Sequence, residues 1–186
     1  MSILTKWGVN WERDIGKSGL DWRVERETAD FLYGFTRMIK PLRVLEIGTF
    51  EGTSAIAIGQ AMKDNARGKL WTIDMKDYGQ KKNISDQGLS DIVECLMGKA
   101  ETALKLLDSG SLDFVFIDDG HAYEDAIRDL IISEILIRKF GYILGHDIFE
   151  VPDVNKAVNN FLSNKTGQYE KIIIASYAGL FILRKL

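Results

Sequence analysis

Short apolar runs alternate along the chain with longer segments in which apolar residues recur every three or four positions. The short runs predict buried β-strands, and the longer segments predict amphipathic helices. The clearest strand runs cover residues 44–47, 70–73, 92–97, 114–117 and 142–144. The clearest helical segments cover residues 54–63, 123–135 and 154–162. Because strands and helices alternate, we expect an α/β fold built on a doubly wound, Rossmann-like sheet.

Both ends of the chain depart from this alternation. Apolar residues at helical spacing predict a helix over residues 24–39, ahead of the first strand. Near the carboxyl end, the strand runs 171–176 and 180–183 are separated by only three residues. A connection this short cannot form a parallel crossover, so the last strand is expected to run antiparallel to its neighbour.

The composition fits a single domain spanning residues 1–186. Hydrophobic residues make up 46% of the chain, charged residues 27%, and the formal net charge is −3. Without a basic excess, we expect no nucleic-acid partner. No apolar run approaches the ~20 residues of a membrane helix, and no signal pattern is visible, so we expect a cytoplasmic protein that does not contact a membrane. The single cysteine, Cys95, rules out an intrachain disulfide.

A polar segment with two glycines follows the first predicted strand. Residues 46–54 read Glu-Ile-Gly-Thr-Phe-Glu-Gly-Thr-Ser. Gly48 and Gly52 let the backbone turn sharply and let a ligand approach it, while Thr53 or Ser54 can cap the next helix. An ordinary strand-to-helix turn also explains two glycines. The dinucleotide pattern Gly-x-Gly-x-x-Gly and the P-loop ending Gly-Lys-Ser/Thr are both missing, which argues against nicotinamide and nucleoside triphosphates.

Two further turns extend this ligand-binding prediction. Asp74 directly follows the second strand, where a carboxylate can hold both hydroxyls of a ribose, although an aspartate that caps a helix is an equal explanation. Gly98 and Ala100 follow the third strand and are small enough to admit an adenine ring, or they form a plain turn. Together with the glycine segment, these residues predict a nucleoside-bearing cofactor.

Aspartates and both histidines of the chain follow the fourth and fifth predicted strands. The fourth strand leads into Asp-Asp-Gly-His and the fifth into His-Asp. If the two strands are neighbours in the sheet, these side chains converge at one edge. Asp118, His146 and Asp147 then have the ligand types of a divalent-metal site, and His121 is a candidate general base. Taken singly, each residue is also explained by helix capping or by surface hydrogen bonding.

The glycine segment resembles the first motif of class I S-adenosylmethionine-dependent methyltransferases, in the form found in catechol and caffeoyl-CoA O-methyltransferases. Residues 116–124 and 141–147 are similar to the branch that includes macrocin-type sugar O-methyltransferases and relatives of cephalosporin hydroxylase. The resemblance covers residues 42–186 and implies a seven-stranded sheet with an antiparallel last strand. It implies that S-adenosylmethionine is bound by Glu46, Gly48, Thr49, Phe50, Gly52, Ser54, Asp74, Gly98, Ala100 and Asp118.

The resemblance also implies a divalent-metal site formed by Asp118, His146 and Asp147. His121 lies three residues beyond Asp118, where catechol-type enzymes have a lysine base. His146 replaces the usual oxygen ligand, which weakens the case for magnesium and favours manganese, iron or zinc. The order of acid and glycine after Asp118 is also unusual, which leaves open whether Asp118 or Asp119 faces the metal; we expect Asp118.

The expected function is metal-assisted O-methyl transfer from S-adenosylmethionine to a hydroxyl of a small molecule. Sugars, phenols and other natural products all fit as acceptors. Two alternatives stay open, a non-catalytic cofactor- or metal-binding protein and a hydroxylase-like relative on the same fold. We expect a helical leader, residues 1–41, to cover the sheet and the acceptor site. Its tryptophans, Trp7, Trp11 and Trp22, offer stacking surface there or a contact between the subunits of a homodimer.

Overall fold

A computed structural model describes residues 24–186, in which helices pack on both faces of one sheet. The strands are β1 (Arg43–Ile47), β2 (Lys69–Asp74), β3 (Val93–Met97), β4 (Leu112–Ile117), β5 (Ile137–Gly145), β6 (Tyr169–Ile174) and β7 (Leu180–Lys185). The helices are α1 (Arg26–Ile39), α2 (Thr53–Asp64), α3 (Gln80–Asp86), α4 (Ala103–Leu106), α5 (Tyr123–Leu136) and α6 (Pro152–Ser163). The three leader tryptophans lie outside the described residues.

The sheet has the order β3-β2-β1-β4-β5-β7-β6. Strands β1 to β5 pair in parallel, whereas β7 is antiparallel to both β5 and β6. The predicted fold class, a doubly wound seven-stranded sheet with an antiparallel last strand, is confirmed. Since β4 lies between β1 and β5, the carboxyl ends of these strands meet at one edge of the sheet.

Alternating side chains of the strands face two separate cores. Val44 of β1 packs with α1, α2 and α3 on one face, and Leu45 packs with α4, α5 and α6 on the other. Both faces of the central strands are therefore covered, which explains why those strands appear in the sequence as continuous apolar runs. No helix among residues 24–186 is long and apolar enough to cross a membrane.

Strand β5 starts earlier than the sequence predicts. The apolar run at residues 142–144 indicates only its second half, whereas the strand begins at Ile137, directly after α5. Arg138, Lys139 and Phe140 are exposed, and Phe140 has a φ of +63° beside a register shift in the pairing with β4. The exposed charged pair and this irregularity break the apolar pattern, so the first half of the strand carries no clear signal. The pattern of apolar residues also does not predict the short helices α3 and α4.

Candidate active site

The turn after β1 lies against the turn after β4. Gly48 has a φ of +91°, a left-handed conformation that favours glycine. A Cβ added to Gly48 would lie 2.0 Å from the carbonyl oxygen of Asp118. The predicted cofactor loop and the predicted metal-binding segment are therefore in direct backbone contact, and no residue larger than glycine fits between them.

The carboxylate of Asp74 fixes the conformation of the glycine loop. Its Oδ2 accepts hydrogen bonds from the backbone N–H groups of Thr49, at 3.1 Å, and Phe50, at 2.8 Å. Its Oδ1 accepts a hydrogen bond from the N–H of Lys76, at 2.9 Å. The acid that the sequence assigns to a ribose therefore also anchors the loop that the sequence assigns to the methionine part of the cofactor. The ring of Phe50 packs edge-on against Tyr78, with ring centroids 4.7 Å apart.

Glu46 is a fully buried acid beneath the glycine loop. Its Oε2 accepts a hydrogen bond from the hydroxyl of Thr72, whose oxygen lies 2.5 Å from the hydroxyl of Thr49. Burial raises the pKa of Glu46 to about 8, and the hydroxyls around it oppose this only in part. Oε1 has no hydrogen-bond partner among residues 24–186. A buried acceptor of this kind suits a ligand that brings its own donor.

The remaining predicted cofactor residues border the same edge of the sheet. Gly52, with a φ of +92°, is the N-cap of α2, a position that the sequence assigned to Thr53 or Ser54. Ser54 is buried in the first turn of that helix. On the adenine side, the N–H of Gly98 donates to the carbonyl oxygen of Asp74 at 2.9 Å, and Ala100 is buried at the start of a short 3₁₀ turn.

Asp118, His121 and Asp147 form a cluster of potential metal ligands beyond β4 and β5. One ligand atom from each residue lies within 4.8 Å of the other two. The Nε2 of His121 is 2.7 Å from the Oδ2 of Asp147. This hydrogen bond raises the pKa of His121, although burial opposes it. The structure thus brings Asp118, and not Asp119, into this cluster, and the cluster contains His121 where the sequence predicted His146 as a ligand.

His146 is buried among three carboxylates. Its Nε2 lies 2.7 Å from Oε2 of Glu25, and its Nδ1 lies 3.0 Å from Oδ1 of Asp147 and 3.5 Å from Oδ1 of Asp118. Burial alone would lower the pKa of His146, but the carboxylates outweigh burial and raise it to about 12. The ring likewise holds the pKa of Glu25 at about 2 against the effect of burial. The three carboxylates therefore favour a positive charge either on the ring of His146 or next to it.

A cavity of about 20 Å³ lies beside the Asp and His side chains. A cavity of this size holds about one water-sized group. The polar part of its lining comes from the two loops that carry Asp118 and Asp147, and its apolar part comes from residues of α5, α6 and β7, including Leu130, Val158 and Phe181. The cluster therefore stands at the border between a polar edge and an apolar core.

The sequence model of a protein family described as "Methyltransferase domain" matches residues 45–148, which are more than half of the chain. The chain belongs to this methyltransferase domain family. The matched segment contains the glycine loop, Asp74 and the Asp and His cluster that follow β4 and β5. The resemblance to class I methyltransferases noted in the sequence is confirmed.

Two curated relatives of this methyltransferase domain are named as O-methyltransferases. O-methyltransferase ankF of Aspergillus thermomutatus is 29% identical over 108 residues, which are 56% of this chain and 45% of the relative. The probable caffeoyl-CoA O-methyltransferase 3 of Dictyostelium discoideum is 29% identical over 119 residues, which are 59% of this chain and 46% of the relative. The chain thus spans about half the length of the curated relatives it matches.

The fold of the domain is also seen in solved structures. The S-adenosylhomocysteine-bound methyltransferase PaMTH1 of Podospora anserina superposes with a TM-score of 0.76 and 19% identity, covering 100% of this chain and 88% of that chain. At this level of identity, the likeness shows a common fold.

Sequence reasoning missed two residues of the candidate site. Thr72 is a polar residue within the apolar run of β2, and that interruption could have marked it as a partner of a buried acid. Glu25 precedes α1 and is 121 residues away from His146 in the chain. No local pattern connects Glu25 with His146, so only the folded structure reveals their contact.

Proposed function

We propose that this protein is an S-adenosylmethionine-dependent O-methyltransferase assisted by a divalent cation. The observation that carries the proposal is the contact between Gly48 and the backbone of Asp118. It joins a loop suited to the cofactor directly to a cluster suited to a cation. Methyl transfer requires this proximity because the acceptor oxygen must lie in line with the methyl carbon.

The residues of the glycine loop fit S-adenosylmethionine. When bound, this molecule supplies a methyl group on a positively charged sulfur. Oε1 of Glu46, which has no hydrogen-bond partner among residues 24–186, would accept hydrogen bonds from the ammonium group of the cofactor. Asp74 would accept hydrogen bonds from the ribose hydroxyls of the cofactor. Gly98 and Ala100 would border the adenine. Because Asp74 already holds the amides of Thr49 and Phe50, the loop needs little rearrangement to bind.

Asp118, His146 and Asp147 fit a divalent cation. Nδ1 of His146 lies 3.0 Å from Oδ1 of Asp147 and 3.5 Å from Oδ1 of Asp118, and a cavity of about 20 Å³ borders all three residues. A bound cation supplies positive charge that lowers the pKa of a hydroxyl and fixes its position. The nitrogen ligand favours manganese, iron or zinc over magnesium.

His121 is positioned to act as the general base. Its contact with Asp147 at Nε2 sets the tautomer in which Nδ1 carries the lone pair, the form that takes up a proton. The acceptor hydroxyl transfers its proton to His121 as its oxygen forms the new bond to the methyl carbon and the bond from that carbon to sulfur breaks. His121 and His146 both border Asp118 and Asp147, and either could be the nitrogen ligand. We assign the ligand role to His146, whose Nδ1 faces both carboxylates, and the base role to His121.

The acceptor is a small molecule that carries a hydroxyl group, in line with the names of the curated relatives. Two exposed aromatic side chains lie in neighbouring loops, Phe149 between β5 and α6 and Tyr177 between β6 and β7. Such side chains suit the flat face of a phenol or the apolar face of a sugar ring. The leader of residues 1–41 as a cover of this site, and a homodimer, stay predictions.

The proposal is tested by methyl transfer with purified protein, S-adenosylmethionine, Mn²⁺ or Mg²⁺ and a panel of sugars, phenols and other hydroxyl compounds, with mass spectrometry of the products. We expect His121→Ala to lower kcat by about 10²–10⁴-fold, the usual worth of a general base, with unchanged affinity for S-adenosylmethionine. The matched control is Glu124→Gln, an exposed residue in the first turn of α5, which should behave as wild type.

The other outcomes point to specific alternatives. Binding of S-adenosylmethionine without turnover of any hydroxyl compound would indicate the non-catalytic binding protein. Iron-dependent oxygen consumption would indicate the hydroxylase-like relative. A wild-type rate in His121→Ala would contradict the base assignment while leaving methyl transfer intact.

A further inference from the structure

The side chain of Glu25 contacts three parts of the chain next to the cluster: the start of α1, the loop after β5 and the loop before β7. It occupies the N-cap position of α1, yet its side chain makes no capping hydrogen bond to that helix's backbone. Its Oε2 instead lies 2.7 Å from Nε2 of His146 and 2.9 Å from the hydroxyl of Thr28, and its Oε1 accepts a hydrogen bond from the N–H of Ala178 at 3.2 Å. The carboxylate is therefore held in place from several sides.

This contact decides which ring nitrogen of His146 faces the cluster. With Nε2 directed to Glu25, Nδ1 points to Oδ1 of Asp147, at 3.0 Å, and to Oδ1 of Asp118, at 3.5 Å. Two ligand atoms at right angles around a cation, each ~2.1 Å away, are themselves ~3 Å apart. The two distances from Nδ1 fit ligands of one cation, and the shorter one also fits a direct hydrogen bond. A proton or a cation can occupy the Nδ1 lone pair, and either one would lie among the same acids.

A carboxylate behind a histidine is the usual support of a histidine that binds metal. It accepts the N–H of one ring nitrogen, and this leaves the other nitrogen as the ligand in a fixed orientation. The second histidine, His121, contacts Asp147 through the other carboxylate oxygen, Oδ2. The two histidines therefore approach Asp147 at different oxygens, and Glu25 supports only His146.

We propose that Glu25 is a positioning residue that directs Nδ1 of His146 to the cation and thereby makes the site selective for a transition metal over magnesium. Imidazole nitrogen suits ions such as manganese, iron and zinc better than it suits magnesium, which prefers oxygen ligands. The inference rests on the proposed cation site but is independent of the acceptor and of methyl transfer. Glu25 lies outside the segment matched by the family model, residues 45–148.

Isothermal titration of two variants with Mn²⁺ and with Mg²⁺ distinguishes the effect of Glu25 on the orientation of the His146 ring from the effect of its negative charge. Glu25→Ala removes both the hydrogen-bond acceptor and the charge. We expect it to weaken Mn²⁺ binding by about 10–100-fold, the usual loss when the supporting partner of a metal ligand is removed. Mg²⁺ binding should weaken much less, so the preference for Mn²⁺ falls. Glu25→Gln removes the charge but keeps an oxygen that accepts the Nε2 hydrogen, so the affinities for both ions should fall together and the preference should remain. The control, Glu27→Gln, is exposed two residues away and should match wild type.

Pulsed electron paramagnetic resonance of the Mn²⁺-loaded protein identifies the nitrogen ligand. In a His121→Ala background, we expect the ¹⁴N coupling of a bound histidine to persist, and in His146→Ala we expect it to disappear. Adding Glu25→Ala to the His121→Ala background should weaken or abolish it. Circular dichroism and the unfolding temperature show whether each variant is folded.

Three results would overturn the proposal: a wild-type Mn²⁺ preference in folded Glu25→Ala, a ¹⁴N coupling that persists in His146→Ala, or wild-type protein that binds neither ion. The first two leave methyl transfer untouched, because they concern only how the ion is held. Failure of the proposed function is a different observation, the absence of methylated product. A protein that selects Mn²⁺ through Glu25 but methylates nothing would support this inference and contradict the proposed reaction.

Discussion

Replacing Gly48 by alanine tests the contact that joins the two halves of the site. The added Cβ would lie 2.0 Å from the carbonyl oxygen of Asp118 and 2.8 Å from the N–H nitrogen of Asp119, so the backbone must move. A left-handed conformation costs alanine about 1–2 kcal/mol, and overpacking costs a further ~1–3 kcal/mol. We therefore expect Gly48→Ala to lower the free energy of unfolding by about 2–5 kcal/mol.

Gly167→Ala is the matched control for this experiment. Gly167 has a similar φ of +75°, but an added Cβ there would meet no atom within 4 Å. It should cost only the conformational term, about 1–2 kcal/mol. Both variants restrict the unfolded chain equally, so the difference between them isolates the contact with Asp118.

Urea unfolding gives the two stabilities, and calorimetry gives the affinities for S-adenosylmethionine. We expect Gly48→Ala to be about 1–3 kcal/mol less stable than Gly167→Ala, the overpacking term alone, and to bind the cofactor more weakly because the loop has shifted. Equal stabilities together with wild-type cofactor affinity in both variants would refute the reasoning, since the close approach would then have no energetic consequence.

Two further acids should affect stability in opposite directions with pH. Burial raises the pKa of Asp129 to about 7, so the folded protein keeps a proton that the unfolded chain releases above its ordinary pKa. Stability should fall by on the order of 3 kcal/mol between pH 4 and pH 8, and Asp129→Asn should remove this fall in urea titrations. Asp113 differs because Arg138 and two backbone N–H groups outweigh burial and lower its pKa. Asp113→Asn should cost about 1–3 kcal/mol at pH 7, and the cost should shrink as the pH falls through the lowered pKa of the wild-type carboxyl; a cost that does not change with pH would contradict this.

The sequence predicts the fold well because buried parallel strands have a strong local signature. Each central strand is apolar on both faces, as Val44 and Leu45 illustrate, so its position is visible without knowledge of its neighbours. The short connection before β7 fixes the direction of that strand by length alone. Where charged residues are exposed within a strand, as at Arg138 and Lys139, the local signature fails.

The sequence predicts which residue types gather at the site but not how they pair. The ends of β4 and β5 are brought together by topology, so Asp118 and Asp147 could be expected near each other. The orientation of a histidine ring depends on its partners in space. The contact of His146 with Glu25 crosses 121 residues and carries no local pattern, so it could not be predicted.

Helix α5 passes into β5 without a connecting residue, since α5 ends at Leu136 and β5 begins at Ile137. A residue inserted at this junction has no loop to absorb it. It would rotate the side chains of α5 by about 100° around the helix axis, or exchange the two faces of β5. Either change would disturb His146 and Asp147 or the core beneath them. Peptide tags and other insertions should be tolerated better directly after Asp108, an exposed residue that precedes the hydrogen bonds of Ser109 and Gly110 to Ile135.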